Sequence, residues 1–95
     1  MRPAETRARG ILCWGDVGWD RYADEERARP GGCALNVAFH LARAGAQPVA
    51  CAGAVGSDGH PLLDLLAAAG VDVTAVALRP GPSPVQPVRL EGGER

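Results

Sequence analysis

Short apolar runs alternating with segments of helical spacing leave this chain few folds to choose from. Ile11 to Trp14, closed by Gly15, is long enough for a buried strand and too short for a helix. Between Cys33 and Ala44, the residues Leu35, Ala38, Phe39 and Ala42 repeat at the i, i+3, i+4, i+7 spacing of one helix face, with Asn36, His40 and Arg43 on another. Gly45 supplies the left-handed residue that ends many helices, and Pro48 lies just beyond it. Val49 to Val55, bounded by Gly56, predicts a buried strand of small apolar residues. Pro61 suits the first position of a second helix, Leu62 to Ala69, with Asp58 near its N-terminus and Gly70 beyond its end. Val73 to Leu78 predicts a further strand, Pro80 to Pro84 a loop, and Val85 to Leu90 another strand running into a hairpin-like turn at Glu91 to Glu94.

This alternation predicts right-handed βαβ units and a mainly parallel sheet. Such a sheet needs cover on both faces, and two helices supply only part of it. The rest would come from residues outside this sequence or from another copy of the chain. The isolated chain is therefore expected to be marginally stable and to form a homo-oligomer through its uncovered sheet. Between the first strand and the first helix, Asp16 to Pro30 is polar and carries the mixed-charge run Asp24, Glu25, Glu26, Arg27 and Arg29. That segment predicts a solvated loop or a small exposed flap, outside the core.

Composition narrows the partners. At 46% hydrophobic and 22% charged residues with a net charge of -1, the chain has the make-up of an ordinary α/β protein, neither disordered nor fibrous. All ten basic residues are Arg and they are scattered, so neither nucleic acid nor a membrane is an implied partner. No run approaches the ~20 apolar residues of a membrane span, and the charged leader, residues 1–10, lacks the apolar stretch of a secretory signal; the cytoplasm is the expected location. Cys13, Cys33 and Cys51 are odd in number and widely spaced in apolar or glycine-rich surroundings, which predicts buried, reduced thiols. Together with His40 and His60 they form no Cys-x-x-Cys and no His pair at helical spacing, so no metal site is expected.

In open α/β sheets ligands bind beyond the carboxyl ends of the strands, which places Asp16 to Asp20 and the Gly31-Gly32 turn at one crevice. Asp20 offers two acceptor oxygens for neighbouring hydroxyls, and Asn36 offers both a donor and an acceptor. Glycines without a Cβ let backbone N–H groups approach a bound molecule. That inventory suits a polyhydroxylated ligand such as a sugar. Each residue also has a plainer reading: Asp20 as a solvated turn former, Asn36 as a helix cap, His40 as a surface residue with no nucleophile beside it. No residue is assigned a catalytic role.

The run Gly31-Gly32-Cys33-Ala34-Leu35-Asn36-Val37-Ala38, followed by Gly45 and then Val55-Gly56-Ser57-Asp58, resembles the N-terminal signature of the ribokinase-like (PfkB) carbohydrate kinases. Upstream, Leu12-Cys13-Trp14-Gly15-Asp16-x-x-x-Asp20 resembles that family's first strand and its sugar-holding acid; downstream, Ala69-Gly70-Val71-Asp72-Val73 resembles its second-helix exit. The resemblance implies that residues 11–95 form the N-terminal, substrate-binding part of a partial three-layer α/β/α fold, with a mainly parallel sheet and a short lid segment. It further implies that Asp20 binds substrate hydroxyls, that Gly31 and Gly32 form the turn against the sugar, and that Asn36 hydrogen-bonds it from the start of the first helix.

Departures from the family pattern sharpen these expectations. Gly18 stands where some members carry a polar sugar contact, Asp58-Gly59 compresses the family's D-x-x-G, and the stretch from Gly45 to Gly56 is one residue longer than usual. The short segment between Asp20 and Gly31 is similar to that of the fructoselysine-kinase-like branch. Members continue into a nucleotide-binding region with a G-A-G-D turn, whose Asp is the general base, and this sequence contains no such motif. The complete protein is thus expected to use ATP and Mg2+ to phosphorylate a sugar or sugar derivative, while the chain alone binds neither and is inactive. A non-catalytic sugar-binding or assembly module from a truncated or split gene is the competing expectation. A dinucleotide-binding oxidoreductase fragment is a third, against which the missing G-x-G-x-x-G after the first strand counts.

Overall fold

Short, nearly continuous apolar runs build the central sheet of the computed structural model, which describes residues 10–23, 25 and 27–88. In chain order the elements are β1 (Ile11–Trp14), β2 (Gly18–Tyr22), β3 (Arg29–Gly31), α1 (Cys33–Arg43), β4 (Val49–Val55), α2 (His60–Ala68), β5 (Val71–Leu78) and β6 (Val85–Val88). Strands β1, β4 and β5 form a parallel sheet in that order, with Cys13 opposite Cys51 and Val49 opposite Val71. Cys13, Cys51, Val55 and Val76 point into one apolar cluster with Leu35 and Ala38 of α1 and Leu62 and Leu66 of α2. Both helices feed the same cluster, so they share one face of the sheet. On the other face of β1, Leu12 and Trp14 remain 62% and 82% exposed. The expected shortfall of cover is therefore located: one side of the sheet is roofed and the other is bare.

Glycine ends both helices as expected. Gly45 and Gly70 have φ of 99° and 97°, the left-handed region that costs other residues about 1–2 kcal/mol. Expected and observed boundaries differ by one or two residues, within the fraying of element ends: α1 stops at Arg43, α2 begins at His60, and β5 begins at Val71 directly after the Gly70 turn. Leu90 and the turn at Glu91 to Glu94 lie outside the described residues.

Two expectations need correction. The polar segment between β1 and α1, expected as a loop or a small flap, takes the second form: it supplies two strands of a second sheet, ordered β3-β2-β6, with β2 antiparallel to β3 and parallel to β6. It is not outside the core, however, because Val17 is fully buried there and Tyr22 is buried under the Arg29 guanidinium, 4.6 Å from its ring centre. Charges dominate the count of residues 16–30, yet Val17, Trp19 and Tyr22 are the β-branched and aromatic types that strands favour. Cys13 and Cys51 are buried as expected, whereas Cys33 is exposed at the start of α1. Burial, and secondarily the neighbouring Cys13, push the Cys51 thiol up, which keeps it protonated and unreactive.

Candidate functional site

The backbone of Asp16 organises the junction between the two sheets. After β1 the Gly15 N–H still donates to Ala52 O (3.2 Å), and the Asp16 carbonyl then accepts from the first helical amides, Ala34 N (3.0 Å) and Leu35 N (3.4 Å). Two amides that a helix start leaves without partners are satisfied in this way, without any side-chain cap. Gly32, with φ of 99°, makes the contact possible: a Cβ there would lie 2.3 Å from Asp16 O. Gly31 has a different neighbour. It pairs with Gly18 across β2 and β3, and a Cβ on it would meet Asp20 Oδ1 at 2.3 Å and Oδ2 at 2.6 Å. The Asp20 carboxylate thus lies against the bare Cα of Gly31.

These residues border a concavity of about 320 Å³. It is lined by Asp16, Gly18, Trp19 and Asp20, by Gly32 and Cys33, and by Pro84, Val85 and Gln86. The last three belong to it because β6 pairs in parallel beside β2, with Gln86 in register with Asp20, and Trp19 N donates to Pro84 O (2.9 Å). Of the sequence-derived residues, Asp20 and Gly32 line this concavity and Gly31 touches the Asp20 carboxylate. Asn36 lies one turn along α1 from Cys33, in a separate shallow depression with Val37, His40 and Leu41. Asp16 lines the crevice where the sequence put it, whereas sequence reasoning missed Cys33, Val85 and Gln86 as lining residues. For Cys33 a signal existed, since the first helical residue after a double glycine faces whatever the glycines face.

The loop feeding β6 is pinned to the loop after β4. Ser83 is 3% exposed; its Oγ accepts from Gly56 N (2.8 Å) and its N–H donates to Asp58 Oδ1 (2.8 Å), while Ser57 N donates to Gly81 O (2.8 Å). Hydrogen bonding from the Ser83 hydroxyl, then from its N–H, holds the Asp58 carboxyl below its usual 3.8. A carboxyl depressed in the folded state binds its proton more readily when unfolded, so its contribution is complete above pH 3.8 and disappears as pH falls through the depressed value. Asp58→Asn should therefore lower the melting temperature most at neutral pH, with the gap to the parent narrowing towards about pH 2. Melting curves across that range check it, and a constant gap would contradict it.

Among the described residues, no group of three His, Cys, Asp or Glu could hold a metal ion, and no helix is long and apolar enough to cross a membrane. A comparison with curated proteins returned no match. Among solved structures, the chain is similar to a fructokinase with bound ATP from Xylella fastidiosa, at 32% identity over 90% of this chain and 31% of that one, with a TM-score of 0.76. It is also similar to a ribokinase in complex with ADP from Cryptococcus neoformans var. grubii serotype A, at 26% identity over 90% and 32% of the two chains, TM-score 0.74. A third similar structure is the aminoimidazole riboside kinase of Salmonella enterica, at 29% identity over 83% and 28%, TM-score 0.72. The chain spans about a third of the length of these structures. With two sheets meeting at an acid and a double glycine, and with residues 12–85 matching the model of the pfkB family carbohydrate kinases, this chain belongs to that family.

Proposed function

We propose that this chain is the acceptor-binding part of an ATP-dependent kinase that phosphorylates a hydroxyl of a sugar or sugar derivative. The observation that carries the reading is the Asp20 carboxylate opening, beside the bare Gly32 backbone, into one concavity beyond β1. Asp20 accepts hydrogen bonds from two neighbouring hydroxyls, and the Gly31-Gly32 bend lets the acceptor approach the backbone closely. Asn36 joins them for an acceptor that extends along α1 past Cys33, because positions three apart share a helix face. What these residues do is bind and orient the hydroxyl. ATP supplies the transferred phosphoryl group, and no step of the transfer is assigned to them.

The test is ADP release by the complete protein with Mg-ATP across a panel of sugars, glycated amines and nucleosides. Turnover with at least one acceptor is expected, and none with the 95-residue chain alone. Silence across the whole panel would overturn the kinase reading. Because the chain spans only about a third of its structural relatives, a second reading, a sugar-binding module without catalysis, predicts heat of binding when this chain alone is titrated with sugar without nucleotide. The kinase reading predicts no such heat.

A further inference from the structure

The concavity is shared between two bodies. Gly32 and Cys33 stand at the head of α1 against the larger sheet, whereas Asp20 and Gln86 stand on β2 and β6 of the small one. Its shape therefore depends on how the small sheet is mounted. Within the described residues the chain passes between the two bodies three times: from β1 to β2, from β3 to α1 and from β5 to β6. The first two passages meet at Asp16 O, which holds the Ala34 and Leu35 amides. The third enters at the opposite edge of the small sheet, whose order is β3-β2-β6, and is fixed separately by Ser83. Ser83 Oγ accepts from Gly56 N (2.8 Å), its N–H donates to Asp58 Oδ1 (2.8 Å), and its hydroxyl donates to the same carboxylate. Ser57 adds two bonds to Gly81 O, from its N–H (2.8 Å) and its hydroxyl (3.2 Å). The two loops lie so close that a Cβ on Gly56 would be 2.1 Å from Gly81 O. Pro82 and Pro84 hold φ near about −65° on either side of Ser83, so a displacement of Ser83 passes on to β6 instead of being absorbed by the backbone.

We infer that Ser83 is a positioning residue for the acceptor: it lies outside the concavity, and through Gly56 and Asp58 it fixes where β6 and Gln86 stand relative to Asp20 and Gly32. This rests on the kinase reading above and adds to it a residue that acts at one remove from the acceptor. Ser83→Ala leaves the buried Gly56 N–H without its acceptor and removes one donor from Asp58. The fixture at Asp16 stays intact, so the small sheet remains attached at β3 and loosens at β6. Acceptor affinity then falls with the time β6 spends displaced, because only molecules with the lining complete are competent to bind.

The experiment uses the complete protein and reads position and affinity separately. In Ser83→Ala, amide hydrogen exchange over residues 18–23 and 84–88 should accelerate by about tenfold or more, while residues 33–43 of α1 keep the parent's rates. The first segment reports the pairing directly, since Trp19 N donates to Pro84 O (2.9 Å) and Ala23 N to Val88 O (3.0 Å). With the acceptor that turns over best, its KM should rise by about fivefold or more, and the KM for ATP should stay within about twofold. Asp58→Ala, at an exposed position, should reproduce both effects; Asp58→Asn, which keeps an oxygen for the Ser83 N–H, should fall between it and the parent. If Ser83→Ala does not fold, this pair carries the test. Exchange that accelerates equally in α1 would make Ser83 a general stabilising residue and overturn the inference. An acceptor KM that stays within about twofold of the parent's while residues 84–88 loosen would also overturn it, leaving the kinase reading intact. Parent protein that turns over no acceptor at all would remove the kinase reading, and this inference with it.

Discussion

Asp20→Asn in the complete enzyme is expected to lower kcat/KM for the acceptor by more than about a hundredfold while leaving the melting temperature nearly unchanged. The substitution keeps the size of the side chain and its place on β2, but replaces two anionic acceptor oxygens with one neutral acceptor and one donor. Hydrogen bonds to a charged group contribute about 1.5–3 kcal/mol each, so weakening two of them costs about 3 kcal/mol or more, and each 1.36 kcal/mol is a factor of ten in rate. Stability should hold because Asp20 is only half-buried and its neighbour Gly31 presents no side chain to it. Steady-state kinetics beside a thermal melt separates the two effects. A loss of activity smaller than about threefold, in protein that melts normally, would remove Asp20 from the acceptor site.

Gly32→Ala should produce the larger loss of stability, and Gly45→Ala shows why. Both glycines have φ of 99°, so both substitutions meet the same left-handed backbone strain. Around Gly45 a new methyl group meets nothing within 4 Å, whereas at Gly32 it lies 2.3 Å from Asp16 O and 2.7 Å from Asp16 C. That carbonyl cannot retreat cheaply, because it holds the amides of Ala34 and Leu35. Losing both bonds, at about 1 kcal/mol each, on top of about 1 kcal/mol of strain brings the total near 3 kcal/mol. In a domain of this size that lowers the melting temperature by about 12 °C or more, against about 4–8 °C for Gly45→Ala. Equal shifts for the two variants would mean that the Asp16 contact does not constrain the bend.

What could be read from the residues follows how local the cause was. The cores of α1 and β4 were legible because Leu35 and Ala38 obey a helical period, Val49 to Val55 form one short apolar run, and glycines close the helix ends. Of the small sheet only β6 was legible, as a strand from Val85, and not the sheet it joins. β2 packs its apolar content into Trp19 and Tyr22 among charges, and β3, with only Arg29, Pro30 and Gly31, has no period to detect. Its third strand, β6, joins by a parallel pairing across some sixty residues, and nothing local to Gln86 announces Asp20 as its partner. For the same reason one part of the concavity's lining could be proposed from sequence and the other could not. Asp20 and the two glycines follow a local motif, while Val85 and Gln86 arrive through tertiary structure and the Ser83 anchor.

That long-range pairing also sets an order of assembly. During synthesis Asp20, Gly32 and the beginning of α1 leave the ribosome about 50 residues before Gln86, a delay of roughly 3–10 s at ordinary elongation rates. The antiparallel partnership of β2 with β3 can form within that interval, but the pairing of β2 with β6 that completes the lining of the concavity cannot. The nascent chain therefore carries its acid and its bare bend on a half-built shelf, and gains an enclosure able to grip a small molecule only when the strand following Ser83 has emerged and docked.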